Sequence, residues 1–119
     1  MRSDDGMVYL SNAFNLSMLP PGSDAEVRVT PVTVERAREI LSGGFVSAIW
    51  RDEVIAVVSD YLGIPVPARR LSVMLRNGDT LVVAQYSGPK LEDGETELPP
   101  GAKIMFYTVS VRFCKEDKK

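Results

Sequence analysis

Alternation between apolar and polar side chains predicts the strands of this chain. Residues 8–10 form a continuous apolar run. Ala25–Val32 alternates, with Val27 and Val29 on one face, which is the pattern of a half-buried strand. A last strand is predicted over about 102–113, where apolar and polar positions alternate again. We therefore expect these three segments to lie in a β-sheet.

Two segments between these strands have the spacing of helices. Thr33 is a suitable N-cap for a helix over about 34–41, which a glycine pair ends. In residues 51–62 apolar side chains recur at helical spacing, and Gly63 follows as a stop. The sequence therefore predicts two helices, joined by a short apolar link over 45–49.

A hairpin and a long loop are predicted in the second half of the chain. Asn77-Gly78, a dipeptide typical of tight turns between strands, separates strand-like segments over 70–75 and 80–86. Residues 87–101 then form a long loop that contains two Gly/Pro breakers.

The elements predict one α/β (α+β) domain over residues 7–114. Its mixed sheet has about five strands, and helices pack on at least one face. Residues 1–6 are expected to be a disordered leader, and 115–119 a charged, solvated tail. A length of 119 residues indicates a single domain.

The composition excludes several classes of chemistry. The chain has no histidine, which excludes Ser-His-Asp and Cys-His catalysis and zinc sites with histidine ligands. Its single cysteine, Cys114, forms neither an internal disulfide nor a CxxC site, as is usual in a reducing compartment. We expect no metal and no cofactor.

Charge and hydropathy limit the expected partners. The 14 Lys and Arg against 16 Asp and Glu give a net charge of −2, so bulk nucleic-acid binding is not expected. No apolar run approaches the roughly 20 residues that cross a bilayer, and the first residues lack the build of a signal peptide. We expect a cytoplasmic protein without membrane contact.

Three polar segments are candidates for chemistry. Residues 47–52 precede the second helix, whose free N–H groups attract anions; Arg51 there either holds a phosphate or faces solvent and nearby acids. Residues 85–94 form either an ordinary surface loop or a phosphate-binding loop in which Lys90 supplies the charge. The Asn side chains of residues 11–15 suit ligand recognition or a turn.

Several segments, taken in order, match the pattern of a known family. Residues 8–19 match its opening strand and loop, and Ser47-Ala48-Ile49 matches the start of its signature turn. Residues 62–66 with Arg70 continue in register, and 88–94 match a second active-site loop. The family that this ordered set resembles is that of the viral anti-CRISPR ring nucleases and their cellular relatives.

This resemblance implies an assembly, a ligand and a reaction. Members are homodimers that bind cyclic tetra-adenylate, the second messenger of type III CRISPR defence, in a pocket across the two-fold axis. They cleave the ring without metal: a ribose 2′-hydroxyl attacks the adjacent phosphorus, and a histidine of the signature turn protonates the leaving 5′-oxygen. A viral member acts in the cytoplasm of its host cell.

The chain departs from this family at the positions of the chemistry. Trp50 and Arg51 stand where the family has glycine and the catalytic histidine. Lys90 matches the usual loop arginine, and Asp93 matches the usual loop carboxylate with one methylene fewer. Arginine stays charged near neutral pH, so Arg51 holds a phosphate but is a poor proton donor. The sequence therefore leaves both cleavage and simple sequestration of the ring open.

The resemblance assigns two sets of site residues. The expected catalytic set is Arg51, Lys90 and Asp93. The expected ligand-binding set is Asn12, Asn15, Ser47, Ile49, Trp50, Arg70 and Gly88. The alternative to a cyclic oligoadenylate sponge or slow ring nuclease is a non-enzymatic regulator, of viral or mobile-element origin, that binds another cyclic nucleotide, a protein or DNA.

Overall fold

The structure, a computed structural model, describes residues 6–22, 24–49, 52–69, 72–89 and 100–113, with the backbone alone at 52 and 53. Within these ranges the elements are β1 (Val8–Ser11), β2 (Ala25–Val32), α1 (Val34–Leu41), β3 (Val46–Ser47), α2 (Asp52–Leu62), β4 (Thr80–Ser87) and β5 (Lys103–Phe113). A single 3-10 turn, Leu16–Met18, lies between β1 and β2. The predicted α+β fold with a mixed five-stranded sheet is confirmed.

The strand order β2-β5-β4-β1-β3 divides the sheet into two halves. β1 is parallel to both β3 and β4, whereas β5 is antiparallel to both β4 and β2. The prediction that residues 45–49 are a plain link was wrong, because Val46 and Ser47 pair with β1. Ser47 is buried, and buried backbone groups need hydrogen-bond partners, which this pairing supplies.

The two helices cover one face of the sheet. Thr33 caps α1 as predicted, because its side chain accepts a hydrogen bond from the Arg36 N–H at 3.0 Å. Arg38 ties the helices together by donating to the Leu62 carbonyl at 2.6 Å, near the end of α2. Leu10 and Phe106 of the sheet form a buried core with apolar side chains of both helices.

The predicted strand over 70–75 is absent from its described part, although the turn after it is present. The Asp79 N–H donates to the Arg76 carbonyl at 3.0 Å across this turn. Residues 72–75 instead cross the second face of the sheet, where Val73 and Leu75 are buried. They have no place beside β4, because β1 and β5 occupy both of its edges.

The bounds of β2 were predicted correctly, but its exposure to solvent was not. The prediction of a half-buried strand was wrong, because Val27 and Val29 are 36% and 53% exposed. All six central residues of β2 are exposed. The segments that cover the second face pack on β4 and β5, one strand further in.

A buried carboxylate fixes the start of β1 beside β4. Asp79 is 4% exposed, and its two oxygens accept hydrogen bonds from the N–H groups of Met7 and Arg76, each at 2.9 Å. The backbones are so close here that a Cβ on Gly6 would clash with the carbonyl group of Gly78.

Replacing the Asp79 carboxylate should lower the stability of the fold. We expect Asp79→Ala to lower the free energy of unfolding by about 2–3 kcal/mol, because two part-buried N–H groups lose a charged acceptor. The matched control is Asp60→Ala, an exposed acid of α2, with a change within about 0.5 kcal/mol. Urea denaturation measures both, and equal midpoints for the two variants would contradict this role for Asp79.

Candidate functional site

The carboxyl ends of the three parallel strands meet at one edge of the sheet. Ser11 ends β1 and Asn12 follows it, Ser47 ends β3, and Gly88 follows β4. Because β1 lies between β3 and β4, these three strand ends are neighbours. Open α/β sheets bind ligands outside the carboxyl ends of their strands. The structure therefore brings together Asn12, Ser47 and Gly88, which are far apart in sequence.

After β1 and after β3, the chain continues on opposite faces of the sheet. After β1, the residues 14–19 pack on the face that carries no helix. After β3, the chain enters α2 on the other face. Divergence of neighbouring connections opens a crevice at a sheet edge, and such points are where α/β proteins place their ligands. The rule therefore predicts a crevice between the ends of β1 and β3.

The turn after β3 is held by hydrogen bonds of its own backbone. Ser47 is 2% exposed, and its Oγ accepts from the Ile49 N–H at 3.3 Å. The Ala48 N–H donates to the Leu10 carbonyl, and the Ile49 carbonyl accepts from the Arg69 N–H, both at 2.8 Å. Ser47 and the buried Ile49 therefore fix the course of the chain into α2.

The residues that follow β1 combine a buried hydroxyl with exposed amides. The Ser11 Oγ is buried and accepts from the Ala13 N–H at 3.4 Å, which turns the chain out of the sheet. Asn12 is exposed directly at this turn. Asn15 is also exposed, but its Oδ1 accepts a hydrogen bond from the Ser17 hydroxyl. Asn15 thus takes part in a local turn, which was one of its two predicted uses.

Gly88 has a structural reason to be glycine. Its φ is +146°, and a Cβ there would lie 2.7 Å from both Cα and Cβ of Ala102. Nearby, the Tyr86 hydroxyl donates to the Pro89 carbonyl. Glycine at this position therefore allows the close approach of the two backbones next to the last pair of the ladder, Ser87 with Lys103.

Several predicted site residues lie outside the described part of the chain. They are Trp50, Arg51, Arg70, Lys90 and Asp93. The described backbone ends at Ile49, Arg69 and Pro89, next to these positions, and resumes at Asp52 with the first residue of α2.

Three further residues at this edge belong to neither of the two predicted sets of site residues. Ser11, Gln85 and Met105 lie on the same face of the sheet, since Ser11 pairs with Val83 and Gln85 pairs with Met105. Gln85 is exposed, and Met105 is 41% exposed. β4 extends past the end of β1 here, so Gln85 overhangs the crevice. The sequence predicts a strand at Gln85, but it does not indicate that the neighbouring strand β1 ends before this position.

The described residues contain neither a metal-binding cluster nor a membrane-spanning helix. These residues contain no group of three or more Cys, Asp or Glu side chains placed to hold a metal ion. None of the helices in this part of the chain is long and apolar enough to cross a membrane.

Comparisons with known proteins agree with this architecture. B116 of Sulfolobus turreted icosahedral virus has a TM-score of 0.74 and 27% identity, over 88% of this chain and 99% of that chain. Uncharacterized protein 26 of Sulfolobus islandicus filamentous virus (isolate Iceland/Hveragerdi) is 27% identical over 90 residues, 75% of each chain. The STIV B116-like family model matches residues 8–99, which include all three strand ends of the crevice. The chain therefore belongs to the STIV B116-like family, which has relatives in Sulfolobus viruses.

Proposed function

We propose that this protein binds a cyclic oligoadenylate of type III CRISPR defence, most readily cyclic tetra-adenylate, across a homodimer interface. It acts on the immune signal either as a sponge or as a slow, metal-independent ring nuclease. The observation that carries the proposal is the convergence of three segments with ring-nuclease resemblance, those around Asn12, Ser47 and Gly88, at one crevice.

The crevice suits a ligand with several phosphates. The turn after β3 leads into the first turn of α2, where free N–H groups and the positive end of the helix dipole favour anions. In the proposal Arg51 and Lys90 add two cations to this environment. Asn12 and Gln85 supply exposed amides, which both donate and accept hydrogen bonds as adenine edges require.

A cyclic ligand favours a symmetric assembly. The repeating nucleotides of cyclic tetra-adenylate present equivalent phosphates, and two identical subunits present equivalent binding groups to them. The proposal therefore requires one ring for every two chains. Each subunit contributes its own β1, β3 and β4 ends to the shared ligand.

The proposed chemistry needs no metal, but it lacks the family's proton donor. In cleavage, a ribose 2′-hydroxyl gives up its proton to water as its oxygen bonds to the adjacent phosphorus. The bond from phosphorus to the 5′-oxygen breaks, and the leaving 5′-oxygen takes a proton from water. Arg51 stabilises the developing charge on phosphate without supplying that proton. Loss of a general acid removes about 10²–10⁴ of rate, which is why sequestration or slow turnover is proposed.

Ring binding is tested by calorimetric titration with cyclic tri-, tetra- and hexa-adenylate. We expect the wild type to bind cyclic tetra-adenylate at one ring per two chains. Arg51→Ala and Lys90→Ala should each weaken binding by about 1.5–3 kcal/mol, the range for hydrogen bonds to charged groups. The matched control is Arg76→Ala, an exposed arginine in the turn before β4, with unchanged affinity. A wild type that binds none of the three rings contradicts the proposed function.

The missing proton donor is tested by restoring it. We expect Trp50→Gly with Arg51→His to cut cyclic tetra-adenylate at least about tenfold faster than the wild type in single turnover. An imidazole has an unperturbed pKa near 6.5, so the rate should fall as pH rises and the protonated donor is lost. A double variant that binds the ring but cuts it no faster shows that the lost histidine does not limit the rate.

A further inference from the structure

We propose that the pocket at the amino ends of β1, β3 and β4 is a second binding site, which takes a neutral, fused-ring aromatic molecule with an N–H group. The crevice of the proposed function lies at the carboxyl ends of the same three strands. The inference therefore stands on other residues than those proposed to bind a cyclic nucleotide, and it does not depend on that function.

The pocket is formed where three strands begin and a helix ends. Val8, Val46 and Thr80 are the first residues of β1, β3 and β4, and all three line it. Ile40, near the end of α1, and Gly78, in the turn before β4, line it as well. Stretches of the chain that are far apart in sequence therefore meet around one space.

The pocket has the size of a small-molecule site. Its volume is about 580 Å³, within the range of about 300–1,000 Å³ that ligand pockets occupy. An apolar cavity of about 150 Å³ already holds benzene, so a molecule of two fused rings has room here. The turn after α1 adds no side chain to this space at Gly43 and Gly44, where a Cβ would meet nothing within 4 Å.

Hydrogen bonds hold the walls of the pocket in place before a ligand enters. The Thr80 N–H donates to the Met7 carbonyl at 2.9 Å, and the Met7 N–H donates to the buried Asp79 carboxylate, also at 2.9 Å. At the end of α1, the Gly44 N–H donates to the Leu41 carbonyl at 3.0 Å. Because these walls are already ordered, binding costs little further conformational entropy.

The side chains around the pocket select an aromatic molecule without charge. Among the described residues that line it, none carries a charged side chain, and a charge buried without a partner is strongly disfavoured. Met7 is 43% exposed, and Phe45 is half-buried. A thioether and a phenyl ring both make favourable contacts with aromatic rings. A flat, uncharged ring system therefore suits these walls.

Thr80 and the end of α1 favour a ligand that donates a hydrogen bond. Thr80 lies opposite Val8 on one face of the sheet, and within the described part of the chain no hydrogen bond involves its hydroxyl, which can accept one. The pocket also lies at the C-terminal end of α1, where the helix dipole is negative. This end attracts N–H groups and disfavours anions. The ligand's N–H is therefore assigned to the Thr80 hydroxyl.

Titration with indole, followed by nitrogen–proton correlation NMR, tests the site. Indole is neutral and has two fused rings and one N–H. We expect the amide signals of Gly43, Gly44 and Thr80 to shift in a saturable way, with a dissociation constant of about 1 mM or tighter. The amides of Asn12 and Gly88, at the crevice, should not shift. Indole-3-carboxylate, which adds a negative charge, should bind at least tenfold more weakly.

Two substitutions test the walls of the pocket. Gly43→Phe places a ring where the turn leaves open space and should weaken indole binding at least tenfold, whereas Gly43→Ala should retain it. Thr80→Val removes the hydroxyl and should weaken indole binding about fivefold, without affecting N-methylindole, which has no N–H. Thr108→Val is the matched control, because Thr108 lies on the same face but outside the pocket.

Amide signals remote from the pocket establish that each variant is folded. No saturable shift up to about 10 mM indole overturns the site, since binding weaker than this is no specific affinity. Shifts confined to amides outside the pocket overturn it too, as does equal binding by Gly43→Phe and the wild type. A Thr80→Val variant that loses indole and N-methylindole equally overturns the assigned hydrogen bond. Ring titration of the wild type tests the proposed function separately, so either proposal fails without the other.

Discussion

β4 is hydrogen-bonded along both edges, parallel to β1 and antiparallel to β5. This double pairing divides the sheet into a parallel half and an antiparallel half. The parallel half turns three strand ends toward one edge and so creates the crevice. The antiparallel half extends outward to β2, whose far edge is the exposed one. A substitution that shifted β4 by one residue would move its buried side chains to the wrong faces. The Asp79 carboxylate, immediately before β4, stabilises the observed register because it accepts a hydrogen bond from the Met7 N–H, immediately before β1.

Local elements were predictable from the sequence where a short-range interaction decides them. α1 has the predicted bounds because Thr33 caps it, and β2 has the predicted bounds because its side chains alternate. Placement within the sheet depends on distant residues instead. Residues 70–75 have a strand-like sequence, but β4 had no free edge to pair with them. The exposure of Val29 likewise depends on which segments happen to cover the sheet.

The sequence selected segments that the fold brings together, but the roles of their residues in binding stay a prediction. A resemblance in three separated segments selected positions that the fold brings to one edge. It did not distinguish ligand contacts from scaffold: Ile49 is buried in the core, and Gly88 is required by its close approach to Ala102. Gln85 is in neither predicted set of site residues because its position over the crevice depends on β1 ending first, which is a property of the pairing.

The turn after β3 is fixed by residues other than those proposed to carry chemistry. Its course is set by hydrogen bonds from Ala48 to Leu10, from Ile49 to the Ser47 hydroxyl and from Arg69 to the Ile49 carbonyl. None of these bonds uses the side chain of Trp50 or Arg51. Exchanging the histidine of the ring nucleases for arginine at position 51 therefore leaves these bonds, which fix residues 47–49, unchanged. In the proposed function such an exchange removes a proton donor and keeps a phosphate ligand, which separates binding of the ring from its cleavage.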